Sequence, residues 1–105
     1  MAAIPPPVAE SVERFLIMVK QRQRVTAAYL YGSQVKGKAT QWSDIDLAII
    51  SPDFSADLFQ EQLDLLRLAA QIDDRIEPRP FRPDDFNTSE PLVSEIKRTG
   101  LKVKE

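Results

Sequence analysis

Read for hydrophobic periodicity, the chain opens with an extended lead-in over residues 1–7, ending in Pro5-Pro6-Pro7. From Val8 to Arg24 the apolar residues return at helical spacing. Val8, Val12, Phe15, Leu16 and Val19 share one stripe, and Glu10, Glu13, Arg14 and Lys20 mostly fall off it. The run Val25–Tyr31 is β-branched and aromatic and stops at Gly32, which predicts a buried strand. Gly32 to Gln41 holds little apolar material and reads as a turn with one short helix. Asp44–Ile50 predicts a second strand, closed by Ser51-Pro52-Asp53.

The longest helix is expected over residues 55–73, with Leu58, Phe59, Leu63, Leu66, Ala69 and Ala70 on its apolar face. Arg75–Phe81 reads as a third strand. Pro78 and Pro80 are two apart, so their missing N–H groups face one side, and the segment is either an edge strand or a strand that ends early. Ser89 is positioned to cap a last helix near residues 90–99, with Leu92, Val93 and Ile96 inward and Gly100 as its stop. The order α-β-(short α)-β-α-β-α predicts a single α/β domain over residues 1–105, with a short mixed sheet. The apolar faces of the first and last helices exceed what three short strands can cover, which leaves room for a second copy or a helical partner.

Composition narrows the chemistry. The chain has 105 residues, 43% apolar and 29% charged, with no apolar run long enough to cross a bilayer and no basic, apolar leader of the secretory kind. A cytoplasmic location is the default expectation. Cysteine and histidine are both absent, which excludes disulfides, thiolate or imidazole zinc sites and any histidine-based triad. Catalysis would have to use carboxylates, hydroxyls, Lys or Arg and a hard, oxygen-loving cation. The net charge of −2 argues against a dedicated nucleic-acid surface.

One constellation fits that restricted chemistry. Asp44 and Asp46 flank Ile45 on a strand, so both carboxylates project to one face about 6.6 Å apart along the chain. Left alone they repel, and a divalent cation turns the repulsion into a site. An isolated pair of this kind is most often a solvated strand face. Here, however, Gly32-Ser33 ends the preceding strand, where glycine admits a close ligand and Ser33 adds a hydroxyl. Lys36 or Lys38 could add positive charge, although a loop lysine is ordinarily just solvated.

Together these residues read Gly32-Ser33-x-x-x-Gly37-x-x-x-x-x-Ser43-Asp44-Ile45-Asp46-Leu47. The pattern resembles the signature of the polymerase-β nucleotidyltransferase superfamily, and most closely its minimal nucleotidyltransferases (MNT). The resemblance implies an α/β (α+β) polymerase-β-like fold, a short mixed sheet with helices packed mainly on one face. It implies catalytic and metal-binding roles for Asp44, Asp46 and, as the third carboxylate on the following strand, Glu77. Asp73 and Asp74 are rivals for that third place. Nucleotide contacts would fall to Gly32, Ser33, Lys36 and Ser43. Gln34, Val35 and Lys36 depart from the arginines common in that segment.

The implied cofactors are two Mg²⁺ ions, with ATP or another NTP as substrate. The implied reaction moves a nucleoside monophosphate, AMP being the commonest, to a protein or small-molecule hydroxyl. Minimal nucleotidyltransferases frequently pair with a small all-helical HEPN protein as its antitoxin. A catalytically degenerate module that acts by binding alone is the alternative, and nucleic-acid elongation would need domains this length does not supply. Trp42 reads as packed over the sheet edge or offered to a base, Tyr29 and Tyr31 as core rim, and Arg79 and Arg82 as solvated or phosphate-steering.

Overall fold

The first helix starts inside the proline run. In the computed structural model, which describes residues 4–104, α1 spans Pro6–Lys20, so the extended lead-in stops at Pro5 rather than at Pro7. Proline suits a first helical turn because its fixed φ is helical and its absent N–H would be unpaired there anyway. The buried stripe of α1 is Val8, Val12, Phe15, Leu16 and Val19, as the periodicity predicts.

The strands are β1 (Ala27–Tyr31), β2 (Ile45–Ile50), β3 (Ile76–Phe81) and β4 (Leu101–Lys104), ordered β3-β2-β1-β4 in one sheet. β1 is antiparallel to β2 and β4, and β2 is parallel to β3, so the sheet is mixed. β3 lies at an edge, where Pro78 and Pro80 belong. Its ladder to β2 begins with Ile45 N–H donating to the Arg75 carbonyl at 2.8 Å and ends with Ser51 N–H donating to Phe81 at 3.0 Å. The two-residue period therefore aims odd-numbered residues of β3 at β2 and the prolines at the free side. The outward carbonyl of Pro78 accepts from Gln62 Nε2 at 3.2 Å.

The remaining helices are α2 (Leu58–Ala69) and α3 (Pro91–Thr99). One sheet face carries Ala28, Leu30, Ile45, Leu47, Ile49 and Ile76, packed against α1 and against Leu65 and Ala69 of α2. The opposite face carries Tyr31, Ala48, Ile50 and Phe81, covered by Phe86 and by Val93 and Ile96 of α3. Two helices thus back one face and a single helix covers part of the other, and the uncovered part carries the polar side chains of β2 and β3.

Four expectations change. β4 is a fourth strand, and Leu101 and Val103 pack against the main core, supplying cover that three strands lacked. Its neighbour Gly100 ends α3 as expected, in an extended conformation, and a side chain there would strike the Ile96 carbonyl. Ser89 does not cap α3. Pro91 takes the first helical position, which puts Glu90 at the cap. On α2 the buried residues are Leu65 and Ala69, whereas Phe59 and Leu66 are exposed. The leucine-rich sequence of α2 supports either of two stripes, and docking on β3 selects the one through Leu58, Leu65 and Ile72. Asp57, accepting from Gln60 N–H at 3.1 Å, caps this helix, which runs from Leu58 to Ala69 rather than over residues 55–73.

Candidate functional site

A charged residue within a buried central strand is unusual, and Asp46 is that residue. In β2 its neighbours Ile45, Leu47, Ala48, Ile49 and Ile50 are all buried, and only Asp46 is half-exposed. Its register partners are Tyr31 on β1 and Glu77 on β3. Directly paired residues share a sheet face, so Asp46 and Glu77 project together from adjacent strands about 4.8 Å apart. Asp44, two residues before Asp46, stands just ahead of β2 beside the same pair.

The electrostatics record this crowding. Partial burial, followed by the charges of Asp44 and Asp46 and a hydrogen bond with Asp44, pushes Glu77 above the usual carboxylate range, against the pull of Arg79. Burial and then the Asp44 charge push Asp46 up as well, again opposed by Arg79. Burial also raises the Tyr31 hydroxyl, and a hydrogen bond with Arg79 works against it. Tyr31, Asp46, Glu77 and Arg79 therefore form one polar cluster on the less covered face.

Gly32 makes space for it. The chain leaves β1 into a 3₁₀ turn, Gly32–Gln34, with Gly32 at φ +76°. Only glycine adopts this conformation without strain, and a Cβ at this position would collide with the Asp46 carboxylate. The absent side chain is the cradle in which Asp46 rests. Ser33 follows, half-buried, with its carbonyl accepting from Lys36 N–H at 3.3 Å.

Gln34 pins the backbone that carries the other carboxylate, Asp44. It is 3% exposed, and its Nε2 donates to the Asp44 carbonyl at 3.2 Å. The N–H of the same peptide unit, on Ile45, donates to Arg75 C=O at 2.8 Å. One peptide plane is thus pinned from the 3₁₀ turn on one side and from the start of β3 on the other. Read from sequence, Gln34 is only a departure from the expected arginines. Arg79 carried a usable signal, because it lies two residues beyond Glu77 and must share its face.

The other expected residues are placed differently. Lys36 Nζ lies 3.8 Å from Glu95 Oε2 on α3, an exposed pair, and is not brought to the carboxylates. Ser43 Oγ accepts from Thr40 N–H at 2.9 Å, shaping the loop before Asp44. Trp42 is 81% exposed in that loop and does not pack over the sheet edge. Asp73, a rival to Glu77, is instead structural. It takes bonds from Ser11 at 3.0 Å and from Arg75 at 2.8 Å, and Arg75 also reaches the Gln41 carbonyl at 3.0 Å.

The donor set suits a hard cation, being carboxylate oxygen throughout, with like charges that a cation would neutralise. Among the described residues, no three such side chains already stand close enough to hold an ion as a ready cage.

The family description "Polymerase beta, Nucleotidyltransferase" matches residues 15–105. The chain belongs to this nucleotidyltransferase family. A search by sequence among curated proteins finds no match. Among solved structures, it is similar to a protein from Sulfolobus solfataricus assigned as a nucleotidyltransferase, with TM-score 0.65 and 14% identity over 90% of this chain and 78% of the other. It is also similar to a chain of a toxin–antitoxin structure determined with AMP-PNP, with TM-score 0.63 and 18% identity over 90% of this chain and 70% of the other. At these identities the likeness concerns the nucleotidyltransferase fold. Among the described residues no helix is long and apolar enough to cross a membrane.

Proposed function

We propose that this member of the nucleotidyltransferase family moves a nucleoside monophosphate, AMP from ATP, to the hydroxyl of a protein or small-molecule acceptor. The observation that carries the reading is the register of Asp46 with Glu77, with Asp44 completing the trio and Gly32 leaving it room. Asp44, Asp46 and Glu77 would hold Mg²⁺, two ions being the number such chemistry uses. Bound Mg²⁺ would supply charge neutralisation at the phosphates.

The chain's own residues do the rest. The backbone and hydroxyl of Gly32-Ser33 hold the outer phosphates at the end of β1, and Ser43 supports the loop carrying Asp44. Glu77 takes the proton of the attacking hydroxyl. Arg79 lends positive charge to the developing phosphoryl negativity. Trp42, exposed two residues before Asp44, offers an aromatic face to the base. Lys36 joins the phosphate contacts once it leaves Glu95.

The test is ATP binding with and without Mg²⁺, by calorimetry and by the fluorescence of Trp42, the single tryptophan. Mg²⁺-dependent binding that Asp46→Asn abolishes is the expected result. Failure of ATP, GTP, CTP and UTP to bind overturns it.

A second reading is an antitoxin that acts by contact, with a small helical HEPN-type protein as partner. It is favoured by the toxin–antitoxin neighbour. Neutralisation that survives Asp44→Asn would select contact over catalysis.

A further inference from the structure

The sheet order lines up the parts of a displacement reaction. Gly32-Ser33 ends β1, Asp46 lies on β2 and Glu77 on β3, so leaving group, reacting phosphorus and proton acceptor would follow one another across the strands. In-line attack puts the incoming hydroxyl opposite the departing pyrophosphate. With the pyrophosphate over β1, the acceptor must arrive from the β3 edge.

A cleft of about 440 Å³ opens on that edge. Its walls include Phe59 of α2, Phe81 of β3 and Leu92 of α3, its inner side is Arg79, and Asp85 and Glu90 stand at its margin. The size is that of a small-molecule site. Arg79 lines this cleft and its charge also acts on Asp46 and Glu77, so one side chain serves both. Along β3 the cleft covers a stretch about 7 to 13 Å from Glu77, counting two to four residues. A ligand that fills it and still reaches Glu77 needs a hydroxyl at one end and an apolar body behind it. The acidic margin favours a cationic group at the far end. A second groove, of about 290 Å³ between α1 and Val103, lies on the opposite side of the sheet and cannot serve the carboxylates.

We infer that the cleft at the β3 edge is the acceptor subsite, and that it selects a small hydroxyl compound with an apolar body and a positively charged tail. The inference rests on the nucleotidyl-transfer reading above. In the step it serves, the acceptor oxygen forms a bond to the α-phosphorus and its proton passes to Glu77. The bond to pyrophosphate breaks, leaving the acceptor phosphodiester and free pyrophosphate.

The test uses the full chain with MgATP and three probes, 4-(hydroxymethyl)benzylamine, 4-(hydroxymethyl)benzoate and ethanolamine. Binding is followed by methyl shifts of Leu58, Leu92 and Val93, and transfer by mass spectrometry of the adduct. The amine is expected to bind and to accept AMP about five-fold better than the benzoate, as weak exposed charge pairs allow. It should exceed ethanolamine about ten-fold, the ring being the difference. Phe59→Ser, at a residue 72% exposed and so harmless to folding, should raise the KM for the amine about five-fold while ATP still quenches Trp42. Glu90→Lys should reverse the preference between amine and benzoate.

Three results would overturn the inference. If ATP quenches Trp42 but no probe shifts the cleft methyls, the acceptor subsite lies elsewhere and the transferase reading stands. If ATP alone shifts those methyls, the cleft belongs to the base. If the amine binds there while no nucleotide binds at all, the transferase reading fails, and the acceptor role fails with it.

Discussion

The Asp46 carboxylate lies against the bare Cα of Gly32, in space that any side chain at position 32 would fill. Gly32→Ala combines that clash with a positive φ of 76°. It should cost about 1–3 kcal/mol of stability and displace Asp46. Thermal unfolding and ATP titration check both effects. Full ATP affinity in this variant would show that Asp46 does not need its cradle.

Asp46→Asn should separate stability from function. Burial and the neighbouring Asp44 charge raise the folded pKa of Asp46. A raised carboxylate pKa means that the fold disfavours the ionised form. This group's contribution is best below its unfolded pKa and is lost as pH rises through the folded value. The neutral amide should therefore raise the melting temperature at pH 7, with the gain vanishing in acid, while Mg²⁺-dependent ATP binding disappears. A melting temperature below the native chain's at pH 7 would contradict the strain assigned to this charge.

Gln34→Leu keeps buried volume and removes an amide whose Oε1 has no partner. The lost bond to the Asp44 carbonyl lies at a half-exposed edge, so stability should change by about 1 kcal/mol or less. Release of the Asp44 peptide should weaken MgATP binding about ten-fold. Calorimetry alongside denaturant unfolding distinguishes this from simple damage, which would move both together.

Asp73 sets an acid limit on the fold. Its hydrogen bonds with Arg75 hold the carboxyl at about 2, against an ordinary 3.8. Its stabilisation is complete above about pH 5 and drains away as pH falls toward 2. Asp73→Asn should cost about 1–2 kcal/mol at pH 7 and little at pH 2. Equal losses at both values, read from urea unfolding, would mean that the charge is not what the Arg75 contact uses.

What was legible in the chain came from local physics. A 3.6-residue period fixes the buried stripe of α1, and the two-residue period of β2 puts Asp46 on the face opposite Ile45 and Leu47, with Asp44 just ahead of the strand. Two prolines at even spacing call for an edge strand or one that ends early, and the sheet order places β3 at an edge. Histidine and cysteine absence restricted the chemistry to oxygen ligands. Apart from the choice of edge, each of these follows from covalent geometry or composition and needs no neighbour to decide it.

Tertiary structure decided what depended on pairing. Leu101–Lys104 is too short to declare itself a strand, and it becomes one because β1 has an open edge. The leucine-rich face of α2 has two stripes, and only docking on β3 leaves Phe59 outside, where it walls a cleft. Glu77 and Asp46 are far apart in sequence, and the parallel register of β2 with β3 makes them neighbours. Sequence supplies the carboxylates and the face each occupies on its own strand. Which residues meet across strands is set by register, a long-range choice that no local pattern contains.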